Sequence, residues 1–302
     1  IIQEIQNNTS NISNEHLNHH ELLLENWDSP IIITTQVQLL HTLFLGKTSA
    51  IRRFHALCNS IIVIDEVQTI PAKMLSLFTL AMNFLAKVCG TTIVLCSATQ
   101  PCVETLEHPL HTPIPDLVPY DPVIWKAFQR TNIIDIGSKS LEQIAAFASE
   151  CLADRNSLLI VCNKKAQAEM LLHLLENQDT DLFHLSAAMC MAHRKDTLQN
   201  LRASLSQDNR KTICVSTQVI EAGIDISFAC VIRLAAGMDS VVQAAGRCNR
   251  SGEAGKIVPV YVAFCQNEDL KKLADIDSGR SATLELFHAF SSHPEQFDHR
   301  LD

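Results

Sequence analysis

The sequence predicts an α/β protein built as two parallel-sheet domains, and three observations predict it. Ile61-Ile62-Val63-Ile64 is a short, continuously apolar, β-branched run that ends in Asp65-Glu66. Such a run fits a strand buried on both faces of a parallel sheet. From Ser157 onward, strand-like and helix-like stretches alternate, as they do in doubly wound sheets. Between these regions lie Pro109, Pro113, Pro115, Pro119 and Pro122, five of the chain's ten prolines. That density excludes helix and central strand, and it marks a linker between domains. The expected limits are 1–122 for the first domain, 123–268 for the second and 269–302 for a tail or the start of a further domain.

Bulk composition narrows the class. The chain has 302 residues, 47% hydrophobic and 19% charged, which is ordinary for globular domains. A net charge of −9 excludes a generally basic nucleic-acid coat. A nucleic-acid site must then be a local groove of backbone amides, hydroxyls and a few Arg. No run approaches the ~18 apolar residues of a membrane span. The eleven cysteines are spread singly without a Cys-x-x-Cys pair. This argues against a zinc ribbon or disulfide scaffold and for a reducing cytoplasm. No signal peptide is visible. The first residue is Ile1 rather than Met, so the chain is expected to begin inside a longer protein.

The elements follow in order. Residues 1–20 are polar and read as a mobile lead-in; His16, His19 and His20 have helical spacing, but no carboxylate or Cys nearby completes a ligand set, so they read as a solvated helix face. Ile31 to Thr35 reads as a strand ending in hydroxyls, followed by a helix from Gln36 to Leu45. Thr34 and Thr35 beside a helix N-terminus suit a phosphate, or an ordinary N-cap. Gly46-Lys47-Thr48 is not a phosphate-binding loop: the first glycine of Gly-x-x-x-x-Gly-Lys-Ser/Thr would fall at His41, and a helical pattern rather than a strand precedes it. After Pro71 a helix runs to about Lys87. Thr92 to Cys96 is a second buried strand leading into Ser97-Ala98-Thr99-Gln100-Pro101.

In the second domain, Ser157 to Cys162, Asp181 to Leu185 and Thr212 to Ser216 read as strands. Lys164 to Asn177 and Ala192 to Leu205 read as helices. Open α/β sheets bind ligands at the carboxyl ends of their strands, and sites are expected in the cleft between the domains.

Two kinds of charged group stand out. Asp and Glu are poor strand residues and costly to bury unpaired. Asp65 and Glu66 therefore point either to a divalent cation and an activated water, or to a solvated acidic turn. Arg247 and Arg250 are three apart, so on a helix or its last turn they share a face, and their planar forks suit phosphoryl oxygens. Gln243 lies one turn upstream and could position a water. A solvated Arg pair is the alternative.

Together, in this order, the pieces resemble a superfamily 2 helicase. Asp65-Glu66-Val67-Gln68 resembles its motif II, Ser97-Ala98-Thr99 its motif III, Thr217 through Asp225 its motif V, and Gln243-x-x-Gly246-Arg247-x-x-Arg250 its motif VI. Glu25 through Pro30, Thr34-Thr35-Gln36, Ile70-Pro71, Met189 through Arg194 and Gly246-Arg247-Cys248-Asn249-Arg250 narrow the match. They resemble the helicase part of the type I CRISPR-associated helicase–nuclease over about residues 24 to 265. Two positions depart: Ala244 stands where many members carry Arg, and Met191 where Pro is usual.

The resemblance implies two RecA-like domains, the first incomplete at its N-terminus because motif I is expected before residue 1. It implies ATP and Mg²⁺ as cofactors, and ATP-driven 3′-to-5′ translocation on single-stranded DNA. Asp65 would hold Mg²⁺, with Gly223 and Asp225 on the nucleotide. Glu66 would act as general base, Gln243 would orient water, and Arg247 and Arg250 would serve as fingers. Thr34, Thr35, Thr217 and Arg194 would contact DNA phosphates, and Ser97 and Thr99 would couple the two activities. The implied partners are a CRISPR surveillance complex of the Cascade type and a histidine–aspartate nuclease, fused or separate, in a prokaryotic cytoplasm. The competing readings are another superfamily 2 motor, such as an RNA helicase, and a non-enzymatic fragment that only binds nucleic acid or a partner.

Overall fold

The computed structural model describes residues 25–97, 103, 106–111, 117, 119, 121–176, 180–207, 209–221 and 223–292. The three lead-in histidines and Thr99 lie outside them. The chain divides into two compact units, Ile1–Leu117 and Val118–Asp302.

The first unit contains α1 (Gln36–Phe44), α2 (Thr48–Arg53), β1 (Ile61–Ile64), α3 (Ala72–Lys87) and β2 (Thr92–Leu95). β1 and β2 pair in parallel, Ile61 opposite Thr92 and Ile64 opposite Leu95. Phe78, Met82 and Leu85 recur at helical spacing on α3 and bury against Leu39, Ile64, Val67 and Ile70. Gly46 and Lys47 form a loop between two helices, with no strand leading in.

Two sequence expectations are corrected here. Among the described residues β1 is covered on one face only. Ile64 is buried, but Ile61 and Val63 are 74% and 62% exposed. Alternate strand residues point to opposite faces, and the α3 side supplies the only cover among the described residues. Ile31 to Thr35 is not a strand. Ile31 and Ile33 are exposed, and no described strand lies alongside to complete the ladder that a strand requires.

The second unit contains α4 (Pro122–Phe128), β3 (Thr131–Lys139), α5 (Leu141–Cys151), β4 (Ser157–Cys162), α6 (Lys165–Leu175) and β5 (Asp181–Leu185). It continues through α7 (Met191–Leu205), β6 (Thr212–Thr217), β7 (Val231–Leu234), α8 (Met238–Ala245), β8 (Val258–Cys265) and α9 (Ala274–Ser292). Its six strands are all parallel, in the order β3-β8-β7-β4-β6-β5. This is the doubly wound α/β sheet that the alternation predicts. Central β4 divides its side chains between two cores. Leu158, Ile160 and Cys162 join Ile144, Ala168 and Leu171 of α5 and α6. Leu159 and Val161 join Leu201 of α7 and Ala244 of α8. Ser140 starts α5 with a capping box, its hydroxyl accepting from the Gln143 amide. Within the span 269–302, α9 is docked on this unit. Thr283 Oγ1 donates to the Ala236 carbonyl at 2.6 Å, and a Cβ added to Gly279 would come within 2.8 Å of the Gly237 Cα.

The sequence reading did not identify β3, α5, β7 or β8. β3 is interrupted at Gly137, whose φ is +72°, with a register shift between Asp135 and Ser138. β7 is four residues long and contains an arginine. β8 carries Pro259. Each feature breaks the pattern that marks a strand.

The cores set the chemistry of the thiols. Burial pushes the Cys162 and Cys248 thiols up to about 12 and raises Cys214 as well. Cys190 is exposed at the start of α7. Iodoacetamide at pH 8 is expected to label Cys190 in the native chain and to reach Cys162, Cys214 and Cys248 only after unfolding. Native labelling of Cys214, followed by peptide mass spectrometry, would show that the sheet opens.

Candidate functional site

The first unit places Asp65 and Glu66 at the carboxyl end of β1, both exposed. Glu66 has φ 54° and ψ 46°, the left-handed region, and it leads into the short 3₁₀ turn Val67–Thr69. A non-glycine residue held there costs on the order of 1–3 kcal/mol, and such strain collects at functional positions. The surroundings enforce it. Asp65 Oδ1 accepts the Glu66 amide at 3.0 Å. The Val67 amide donates to the Cys96 carbonyl at 3.2 Å. Thr69 Oγ1 donates to the Glu66 carbonyl at 2.8 Å and to Gln36 Oε1 at 2.9 Å. Gln36 Nε2 in turn lies 3.4 Å from the carbonyls of both Asp65 and Glu66.

A relay links the acidic turn to β2. Ser97 Oγ donates to Gln68 Oε1 at 2.5 Å, and Gln68 Nε2 donates to Glu66 Oε2. Sequence reasoning assigned no work to Gln36 or Gln68. Both sit inside stretches it singled out, and only the fold shows that they hold the carboxylate turn. Thr35 Oγ1 accepts the Gln38 amide at 3.2 Å and so caps α1, while Thr34 is exposed beside it. No group of three or more metal-ligating side chains forms among the described residues. Two exposed carboxylates suit Mg²⁺, which keeps most of its waters and takes substrate oxygens.

In the second unit the predicted residues gather where β6 and β7 end. Thr217 ends β6. Gly223 has φ +70° with nothing within 4 Å of an added Cβ, so its conformation rather than crowding calls for glycine. Exposed Asp225 meets Arg250, whose Nε lies 2.8 Å from Asp225 Oδ1. Gln243 is half-buried on α8.

Arg247 and Arg250 do not share a face, contrary to the expectation from their spacing. α8 ends at Ala245, and the chain then turns through Asn249 at φ 48°. This turn is pinned to the strand region: the Phe228 amide donates to the Arg247 carbonyl at 2.9 Å, and the Asn249 amide to the Phe228 carbonyl at 3.0 Å. Arg247 therefore points inward. Its Nε donates to the Ile220 carbonyl at 3.0 Å and its Nη2 to the Glu221 carbonyl at 2.6 Å, and its side chain is buried. Arg250 stays at the surface. Arg194 folds back on its own loop, with Nη2 3.2 Å from the Ala187 carbonyl and 3.4 Å from those of Ser186 and Met189.

Beneath this edge lies a buried ion pair that sequence reasoning missed. Arg233 Nε is 2.9 Å from Glu221 Oε1, with side chains 0% and 6% exposed. Burial pushes the Glu221 carboxyl above its usual range, against the pull of Arg233 and of the Ser240 hydroxyl. An arginine in a four-residue apolar strand has no sequence pattern that announces it.

Residues 154–253 match the family model of the C-terminal part of the CRISPR-associated nuclease/helicase Cas3. A Cas3 of Haloferax volcanii is 53% identical over 53 residues, 18% of this chain and 6% of that protein. A Cas3 of Methanothermobacter thermautotrophicus is 23% identical over 237 residues, 75% of this chain and 28% of that protein. The crystal structure of T. fusca Cas3 with AMPPNP superposes with a TM-score of 0.62 at 18% identity, covering 83% of this chain and 35% of that one. That likeness speaks to fold, and the chain spans about a third or less of the length of each of these relatives. Over residues 154–253, then, the chain is similar to the C-terminal part of the CRISPR-associated nuclease/helicase Cas3, the family that its four ordered motifs resemble.

Proposed function

We propose that this chain supplies the motor of a DNA translocase that hydrolyses ATP with Mg²⁺ and serves CRISPR interference. The observation that carries this reading is the Asp65-Glu66 turn: two exposed carboxylates at a strand's carboxyl end, one in strained backbone, tied through Gln68 to Ser97. Mg²⁺ bound there would neutralise phosphoryl charge. Asp65 is the residue to hold it, and Glu66 is the base that takes the proton from the attacking water. The Gln68 amide donates to one Glu66 oxygen, which aims the carboxylate and leaves its other oxygen for the water. Ser97 then carries changes at β2 to the base.

In the second unit, Arg250 is assigned the finger's role. Its guanidinium is half-exposed and, among the described residues, meets only an exposed carboxylate, a surface pair worth little energy and easily exchanged for a phosphate. Arg247 is assigned to holding the Gln218–Ile220 turn. Gln243 remains the candidate to orient water, and Gly223 and Asp225 to border the nucleotide. Thr34 and Thr217, with backbone amides, would contact DNA phosphates, which carry no sequence information and so suit a motor. Thr35 and Arg194 would contribute only by exchanging their present backbone partners. The surveillance complex and a histidine–aspartate nuclease are the partners this reading implies.

ATPase assays on the full-length protein test the reading. Single-stranded DNA is expected to stimulate turnover more than RNA. Preference for RNA would favour another superfamily 2 motor, and DNA binding without turnover a non-catalytic role. Residues 1–302 alone are expected not to hydrolyse ATP, since no Gly-x-x-x-x-Gly-Lys-Ser/Thr occurs in them. DNA-stimulated hydrolysis by that chain, lost on Lys47→Ala, would make the Gly46 loop the phosphate site.

A further inference from the structure

We propose that Arg233 is a positioning residue that holds two site segments of the second unit in register, residues 218–221 after β6 and residues 240–250 after β7. Its importance to turnover rests on the function proposed above; the tether itself does not.

The guanidinium sits fully buried on β7, between β4 and β8 in the sheet, and reaches both segments from one point. Toward the first, Nε lies 2.9 Å from Glu221 Oε1. Toward the second, Nη2 donates to Ser240 Oγ at 2.8 Å, in the first turn of α8. Ser240 Oγ also lies 2.8 Å from both Glu221 oxygens, which closes a triangle across the two segments. Nη1 anchors the fork to the sheet, 2.7 Å from Asn163 Oδ1 just after β4.

The chain of contacts runs on to the candidate finger. The Arg233–Glu221 pair sets where the Glu221 backbone lies. The carbonyls of Ile220 and Glu221 are the acceptors that hold Arg247. Arg247 begins the pinned turn that presents Arg250. Ser240 likewise sets the start of α8, and Gln243 lies one turn along it. A planar fork with several fixed donors can hold three acceptors on three elements at once, which an ammonium cannot. A buried ion pair is weak evidence for stability, since two well-packed apolar side chains are often as stable. Its best-attested use is to specify one arrangement, and here the elements it arranges carry the candidate site.

The experiment separates arrangement from stability with two variants of the 302-residue chain, Arg233→Lys and the double variant Arg233→Met, Glu221→Leu. The double variant removes both charges and is expected to keep a thermal midpoint close to that of the unaltered chain. Hydrogen exchange read by mass spectrometry is expected to speed up at least tenfold in residues 218–221 and 240–250 of both variants, with β4 and β6 unchanged. Unaltered exchange in those segments of either folded variant would overturn the proposal; if the double variant does not fold, Arg233→Lys alone decides. In the full-length protein, Arg233→Lys is expected to lower the kcat of DNA-stimulated ATP hydrolysis 10- to 100-fold with KM for ATP unchanged. A kcat that recovers in the stable double variant would show that the pair serves folding only, and would likewise overturn the proposal. Faster exchange in the variants, combined with no ATPase in the unaltered full-length protein, would remove the proposed function and leave the tether standing.

Discussion

Glu66→Gln is expected to abolish ATP turnover by the full-length protein while nucleotide binding stays within a few-fold of its original value. The carboxamide keeps the shape of the side chain but cannot take a proton from water, and positioned acid–base catalysis contributes about 10²–10⁴-fold. The substitution adds no backbone strain, since Gln and Glu pay similarly for the left-handed conformation at this position. The measurement pairs steady-state ATPase with binding of a fluorescent nucleotide. Unaltered turnover would remove Glu66 from the mechanism. Loss of binding together with turnover would mean that the charge serves the metal rather than the water. Gln68→Ala makes a useful companion: it removes the donor to Glu66 and the acceptor of Ser97. It is expected to lower kcat less than Glu66→Gln and to leave binding intact.

The second large effect is expected at Arg250. Arg250→Ala should lower kcat by about 10³-fold or more, the scale of a lost arginine finger in nucleotide hydrolases. Arg250→Lys should fail nearly as badly, because an ammonium on a flexible stem lacks the fixed bidentate fork. Stability should hardly change, since the pair with Asp225 is solvent-exposed. Arg247→Lys is expected to behave differently. It gives up two bonds to buried carbonyls at Ile220 and Glu221, so lower turnover should come with a lower urea midpoint. If Arg247→Lys loses turnover at unaltered stability while Arg250→Lys remains active, the two roles are the reverse of those assigned here.

Much of this was legible in the residues alone. The parallel α/β class, β1 and β2 of the first unit, and β4, α6, β5, α7 and β6 of the second followed from short apolar runs alternating with helical periodicity, because parallel strands joined by crossover helices are rich in apolar, β-branched residues. The motif stretches were legible for a related reason. Each is contiguous, so order and spacing along the chain carry the signal. The strands missed were those whose sequence is compromised by another duty: a bulge at Gly137, Pro259 at the start of β8, and Arg233 within β7.

What the sequence by itself determined, then, is that the segments of β1, β2, β4, β5 and β6 form parallel sheets and which residues stand at the carboxyl ends of those strands. Local propensity and periodicity settle both. Where those side chains point was decided only by the tertiary structure. Spacing put Arg247 and Arg250 on one face, but the end of α8 at Ala245 and the positive φ of Asn249 turn one inward and leave the other at the surface. Apolar content put β1 between two layers, yet burial depends on what is packed alongside, and Ile61 and Val63 remain exposed. The left-handed backbone of Glu66 and the contact between Arg233 and Glu221 have no local signature at all. Both arise because distant segments meet and over-determine a geometry that neither would adopt alone.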